Sequence, residues 1–278
     1  MLGERIDYAI LRKFANDRHK LTEEELDQGC SSLLDDQAVS KLPKIIERFD
    51  GHFPLTPGLR YLDMGSGSGE LTLALARMGL DVTGVDFLPR FVETARRNAV
   101  ALGLESKVKF ICEDLRRWTP ERPYDVLISF DAMEHIGEPG PFLARMKDFV
   151  VPGGIAIMTF GPLFHSPFGD HMSEFFDVQI PWRGAMFSEQ AMLRVRREFY
   201  RPTDPATRLP DIAGGLNCMT FGEFKRYVRE AGWKVKYLRV NPFLQSRILR
   251  AVSDATMRIP GVRNLFGHSV YAVLEKPA

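Results

Sequence analysis

Between residues 58 and 160, short apolar runs alternate with longer stretches whose apolar positions recur at helical spacing. The first run (Leu59, Tyr61, Leu62) closes on Asp63 and turns through Gly65, Gly67 and Gly69. Leu71, Leu73, Ala74, Leu75, Ala76 and Met78 then read as a helix packed on a sheet. The second run, residues 81–86, ends on Asp86. The third, residues 108–112, leads to Glu113, Asp114 and Leu115. The fourth, residues 124–130, ends at Phe130 and leads to Asp131, Glu134 and His135, and the fifth, residues 155–160, follows a Pro152-Gly153-Gly154 turn. Each run is followed by a helical pattern, so the unit repeats as strand and helix. That alternation predicts an α/β fold with a parallel sheet. In such a sheet, ligands bind in the crevice outside the carboxyl ends of the strands.

The flanks are patterned differently. Residues 1–57 carry two helical stripes, Ile6, Ala9, Ile10, Lys13 and Phe14, then Val39, Leu42, Ile45, Ile46 and Phe49. Between them Thr22 and Glu25 have capping-box spacing. This segment reads as helices that cover a sheet face, or as a lid. Residues 161–218 form an insertion after the fifth strand. It opens with a run too rich in Pro, Gly and His for a regular element. A helix at residues 188–200 with Ser188 as N-cap follows, then a Pro-rich stretch. Loops beyond roughly 15 residues are usually functional or disordered, and the Phe, Trp and Met scattered through this one oppose disorder. It reads as a substrate cap. Residues 219–278 return to the sheet with a helix at 220–231 and strands at 233–240 and 270–274. Between those strands Leu244, Ile248, Ala251, Val252, Ala255 and Ile259 make a helical stripe among Arg247, Arg250, Arg258 and Arg263. This reads as a helix packed on the core, with a homodimer contact or a membrane-surface patch as alternatives.

Composition changes this picture little. The chain has 278 residues, 45% hydrophobic and 26% charged, with a formal net charge of +1. That size allows one large domain with additions, and that charge creates no global field to recruit nucleic acid or anionic membrane. Cys30, Cys112 and Cys218 are widely spaced, without a Cys-x-x-Cys pair. They suggest reduced thiols in a cytoplasm rather than a disulfide frame or a thiolate metal site. The polar N-terminus reads as no signal peptide, and no apolar run approaches membrane-spanning length.

The glycine loop narrows the ligand. The dinucleotide fingerprint places its third glycine three positions after the second. Here that position is Glu70, and Gly69 comes early. No Gly-Lys-Ser/Thr follows, and the loop has no Lys or Arg to neutralise a pyrophosphate. An acid followed by Gly-x-Gly-x-Gly suits a phosphate-free ligand with a cationic end. An acid at the tip of the second strand, Asp86, is placed to accept from ribose hydroxyls. Phe87 could cover a flat ring, and a carboxylate after the third strand could accept from an exocyclic amine.

These motifs, in order, resemble a class I S-adenosylmethionine-dependent methyltransferase. The resemblance rests on Leu62-Asp63-Met64-Gly65-Ser66-Gly67-Ser68-Gly69, Gly84-Val85-Asp86, Cys112-Glu113-Asp114-Leu115, residues 124–128 and Val151-Pro152-Gly153-Gly154. The stretch Phe130-Asp131-Ala132-Met133-Glu134-His135-Ile136 is similar to small-molecule methyltransferases of the ubiquinone-biosynthesis type. It implies a Rossmann-like, seven-stranded, mostly parallel sheet with helices on both faces and an antiparallel last strand. It further implies that Asp63, Gly65, Ser66, Gly67 and Gly69 hold the methionine end of S-adenosyl-L-methionine, and that Asp86 binds the ribose. Phe87 would flank the adenine, Asp114 and Leu115 would contact its edge, and Phe130 and Asp131 would lie near the transferred methyl.

Transfer to a hydroxyl needs alignment and a proton acceptor near neutral pH, for which histidine is suited. His135, just past the fourth strand, is the first candidate for base or acceptor ligand, and it could equally cap the next helix. His165 and His171, with Asp170, open the cap and could share the role; their spacing is no recognised metal signature. Glu134 and Trp182 are candidate acceptor contacts. Arg194, Arg196 and Arg197 read as the wet face of the cap helix, Trp118 and Trp233 as packing, and His19, His52 and His268 as peripheral. Residues 129–132 read Ser-Phe-Asp-Ala rather than the Asn/Asp-Pro-Pro-aromatic tetrad of amino-group methylation, so a small-molecule oxygen acceptor is the first reading and nucleic acid is disfavoured. Nitrogen or carbon transfer, a non-catalytic binder of the cofactor and a dinucleotide oxidoreductase are the alternatives.

Overall fold

A computed structural model describes residues 2–16, 42–212, 214–243, 257–259 and 261–278. The Thr22–Glu25 pattern, Val39, His19, Cys30 and the stripe from Leu244 to Ala255 lie outside them. Among the described residues a seven-stranded sheet has the order β3-β2-β1-β4-β5-β7-β6. The strands are β1 (Arg60–Met64), β2 (Asp81–Asp86), β3 (Val108–Cys112), β4 (Tyr124–Phe130), β5 (Val150–Phe160), β6 (Lys234–Pro242) and β7 (Gly267–Glu275). Neighbours from β3 to β5 pair in parallel, while β7 pairs antiparallel with both β5 and β6. The order reverses between β1 and β4, so their carboxyl ends flank the crevice where such sheets bind ligands.

The apolar runs are continuous because this sheet is buried on both faces. Successive side chains of a strand point to opposite sides. Leu62 and Leu127 therefore join one core with Phe142, Phe149 and Phe224, while Tyr61, Val126 and Ile128 join another with Phe49, Leu75 and Tyr271. Helix α3 (Glu70–Arg77) follows the glycine loop and α4 (Pro89–Ala101) follows β2. Helix α5 (Pro139–Arg145) packs near α8 (Phe221–Glu230), whose N-terminus is a full capping box of Thr220 and Glu223. Trp233 and Trp118 pack on the first of these cores, and Trp233 donates its indole N–H to the Leu143 carbonyl at 2.8 Å.

The two N-terminal elements go to different places. Helix α2 (Leu42–Glu47) leads into Phe49, fully buried against the sheet. Helix α1 (Leu2–Arg12) does not cover the sheet; it packs on α7 (Glu189–Phe199) of the insertion, which follows the short α6 (Arg183–Met186). Its buried residue is Leu11, whereas Ile6 and Ile10 of the expected stripe are exposed. Tyr8 donates to Glu198, and Arg12 pairs with the same carboxylate at 3.0 Å. These contacts turn the helix away from the face its periodicity favours. The insertion has its own apolar cluster, in which Phe164, Met172, Phe175, Phe176 and Leu193 enclose Leu11. Ser188 is the N-cap of α7, but its hydroxyl has no partner among the described residues; its amide donates to Asp7 of α1 at 2.8 Å. Arg196, expected on the wet face, is buried beside Asp204.

Candidate functional site

The crevice at the ends of β1 and β4 holds a cavity of about 240 Å³, lined by Leu42, Ile45, Asp63, Gly65, Ser66, Glu70, Leu71, Ala74, Phe130 and Asp131. Three of these residues are carboxylates and none is Lys or Arg. Leu42 and Ile45 bring α2 across the opening, and Phe130 stacks on Phe49 with ring centres 5.8 Å apart. A segment distant in sequence thus forms one wall.

The glycine loop is shaped by sterics. Gly65 and Gly69 have φ of +72° and +86°, the left-handed region that side chains disfavour. A Cβ at Gly65 would stand 2.9 Å from the Ala132 Cβ, and one at Gly69 would stand 2.8 Å from the Phe110 ring. The loop amides, however, are not bare. Those of Gly65 and Ser66 donate to the Val85 carbonyl, that of Gly69 to the Ser66 carbonyl, and that of Gly67 to Asp86 Oδ2 at 3.0 Å. These four amides are spent in holding the loop together and against β2. A pyrophosphate would find no cation in this lining. Gly69 serves helix packing, and the site's polar character rests on carboxylates and the unpartnered buried hydroxyl of Ser66.

Asp63 is 2% exposed. The Thr72 hydroxyl donates to its Oδ2 at 2.6 Å. Burial pushes its carboxyl up to about 6, against the lowering effect of that hydrogen bond and with help from Asp86. Asp86 accepts from the amides of Gly67 and Leu88, bridging the loop to the start of α4, and burial raises its carboxyl too. A carboxylate has roughly four acceptor positions, so both acids retain capacity toward a ligand. Phe87 beside Asp86 is 58% exposed. Asp114 is gripped by Arg116 through both oxygens, and that ion pair lowers its pKa. Leu115 packs partly on the core while its carbonyl accepts from Arg145.

Past β4, Asp131 takes φ of +50° and is braced by Thr159, whose carbonyl accepts its amide and whose hydroxyl donates to Oδ1 at 3.2 Å. Crowding by protein raises its carboxyl, while His268, His135 and Arg48 pull it back. His268 is thus no peripheral residue. Because β7 runs antiparallel, its first residues lie beside the carboxyl end of β5, and no local pattern reveals that. Arg48 is equally a product of tertiary placement, donating to the Tyr271 hydroxyl at 2.8 Å.

His135 lies exposed in a 3-10 turn (Met133–His135), its Nδ1 2.9 Å from the Gly215 carbonyl. A carbonyl only accepts, so Nδ1 carries the proton and Nε2 of the neutral ring is left as an acceptor. The structure brings His171, and not His165, edge-on against it at 5.6 Å between ring centres. Loss of hydration pushes His171 down to about 4. His165 instead packs against Phe164. Asp170 is spent on a buried bidentate pair with Arg183, with bonds of 2.6 and 2.8 Å. Arg183, unremarked in the sequence, is 1% exposed and lies over the rings of Phe176 and Phe168.

Two expected acceptor contacts have partners within the protein. Trp182 donates its indole N–H to the Leu265 carbonyl at 2.6 Å and packs on Phe266, tying the insertion to α9 (Val262–Phe266). Glu134 is 6% exposed and its Oε1 accepts from the Gly161 amide at 3.1 Å, so it faces the root of the insertion. Among the described residues no group of three or more His, Cys, Asp and Glu side chains is placed to hold a metal ion, and no helix is long and apolar enough to cross a membrane.

A family described as a methyltransferase domain matches residues 62–154. Over 100 residues the chain is 37% identical to a ubiquinone biosynthesis O-methyltransferase of Maricaulis maris, covering 36% of this chain and 39% of that one. Over 154 residues it is 29% identical to the protein of that name from Rickettsia canadensis, covering 55% and 63%. The chain thus spans about a third to two-thirds of the length of these curated relatives. Among solved structures, phosphoethanolamine N-methyltransferase 2 of Haemonchus contortus in complex with S-adenosyl-L-methionine is similar with a TM-score of 0.54 at 15% identity, covering 86% of this chain and 53% of that one. At that identity the likeness is one of fold.

Proposed function

We propose that this chain, whose residues 62–154 match a methyltransferase domain, is a class I S-adenosylmethionine-dependent methyltransferase that transfers the methyl group of S-adenosylmethionine to a small-molecule acceptor, with oxygen as the receiving atom. The observation that carries the reading is the cavity between β1 and β4, lined by three carboxylates and no cation. The amides of Gly65, Ser66, Gly67 and Gly69 are already satisfied within the protein. Such a cradle favours an ammonium and a sulfonium and rejects a pyrophosphate.

The cofactor supplies an electrophilic methyl on a positively charged sulfur. Asp63, beneath the loop, holds the ammonium end, and Asp86 accepts from the ribose hydroxyls. Phe87 and Asp114 lie on the adenine side, with Arg116 releasing part of its grip on Asp114. Phe130 and Asp131 border the methyl side, and α2 with Phe49 excludes water. His135 accepts the acceptor hydroxyl's proton at Nε2, while neutral His171 walls the same cleft. Proton removal by a placed side chain contributes about 10²–10⁴ in rate. The O-methyltransferase relatives favour oxygen over nitrogen or carbon.

Calorimetry with S-adenosylhomocysteine and with NAD, followed by label transfer from methyl-tritiated S-adenosylmethionine to a panel of hydroxyl, amine and carbon acids, tests this. Tight binding of the first ligand and label on a hydroxyl are expected. NAD binding in its place would overturn the cofactor assignment. Binding without transfer to any class would make the chain a non-catalytic binder.

A further inference from the structure

The turn that carries His135 is fastened to both roots of the insertion. At the outgoing root, the Gly161 amide donates to Glu134 Oε1 at 3.1 Å. At the returning root, the Asn217 amide donates to the Glu134 carbonyl at 2.8 Å. The Asn217 side chain donates to the carbonyls of Met133 and Ile136 at 2.6 and 2.9 Å, and the Gly215 carbonyl meets His135 Nδ1. Glu134 Oε2 has no hydrogen-bond partner among the described residues. It stands beside a cavity of about 10 Å³ bordered by Phe160, Pro162, Phe164, Asn217 and Cys218, with room for at most one water.

We propose that Glu134 is a positioning residue that acts as an uncharged acid, fastening the first residue of the cap to the turn of His135, so that cap closure and placement of His135 are one event. The inference rests on reading His135 as the residue that faces the acceptor. A carboxylate would stand in this enclosure with only backbone amides, those of Gly161 and of Glu134 itself, as donors and with no counter-charge, which is costly. The titratable groups around it give no relief. Asp131, on the same connection, raises its pKa further; the Cys218 thiol from the returning root is itself pushed up to about 12; His135 turns outward; and His171 beyond it is neutral. Burial accordingly pushes Glu134 up to about 8.

The direction of the pH effect follows. When the cap opens, Glu134 regains water and its ordinary value near 4.5. The open form then binds fewer protons, so the closed form is fully stable below about pH 4.5. It loses stability as pH rises toward 8, by about tenfold in the opening constant per pH unit.

Hydrogen exchange of peptides spanning residues 161–171 and 212–219, corrected for intrinsic rates and read from pH 5 to 8, tests this on the ligand-free chain. The wild type should lose protection about tenfold per unit, and Glu134→Gln, which keeps the shape and the acceptor but cannot ionise, should hold protection flat. The pH titration curve of the His135 Cε1–H resonance should differ between the wild type and the variant, because only the wild type carries a second ionising group beside the turn. Flat wild-type protection, or equal slopes in the two proteins, overturns the proposal. So does a His135 resonance indifferent to Glu134. None of these readouts depends on methyl transfer, so failure here is distinct from failure of the proposed function.

Discussion

Asp63 offers the sharpest test of how this cavity binds a cation. In the ligand-free chain its carboxyl is raised to about 6 by burial. A ligand ammonium beside it favours the carboxylate, so binding selects the deprotonated form. Below pH 6 the apparent dissociation constant rises by the factor 1 + 10^(pKa − pH). At pH 5 the affinity for S-adenosylhomocysteine should therefore be about 11-fold weaker than at pH 8, or ~1.4 kcal/mol, with about one proton released per ligand bound. Calorimetry at pH 5, 6, 7 and 8, in buffers of differing ionisation enthalpy, measures both quantities. Asp63→Asn should bind weakly at pH 7 and lose the pH slope. 5′-Methylthioadenosine, which has no ammonium, should bind with no such slope in either protein. Constant affinity between pH 7 and pH 5, or a slope that survives in Asp63→Asn, would refute the assignment of Asp63 to the cationic end.

Three further outcomes are expected. Gly65→Ala places a Cβ 2.9 Å from Ala132 at a φ of +72°; with roughly 1–2 kcal/mol of backbone strain added, S-adenosylhomocysteine should bind about tenfold more weakly by calorimetry. Arg183→Met strands Asp170 in the cap core and should cost about 3–5 kcal/mol in urea unfolding followed by tryptophan fluorescence. Adding Asp170→Asn should recover much of that loss, and equal single and double variants would deny the pair its structural role. His135→Ala should lower kcat on an acceptor found in the panel by about 10²–10⁴ while calorimetric affinity for S-adenosylhomocysteine stays unchanged; a wild-type rate removes it from proton transfer.

Strand and helix alternation, the acids that end β1 and β2, and the glycine turn between β1 and α3 were legible in the residues. Each is set by interactions within a few positions along the chain: apolar period, steric demand for positive φ, and a carboxylate at a strand tip. That the amides of Gly65, Ser66 and Gly67 are spent was not legible, because their acceptors Val85 and Asp86 belong to the neighbouring strand. Glu134 and Trp182 read as acceptor contacts because polar and aromatic residues near a crevice suggest recognition. Their partners, Gly161 and Leu265, become neighbours only when the insertion folds back.

The sequence by itself determined a parallel α/β core and the kind of ligand its first loop suits, since local sterics and charge decide those. Tertiary structure alone decided which distant groups share the cleft. His268 acts on the charge of Asp131 because β7 runs antiparallel, Arg183 is buried because Asp170 and two phenylalanine rings enclose it, and α1 joins the cap because Glu198 and Leu11 find their partners there. Such contacts depend on chain reversal over long separations, and no periodicity within a segment encodes the partner that a segment will meet.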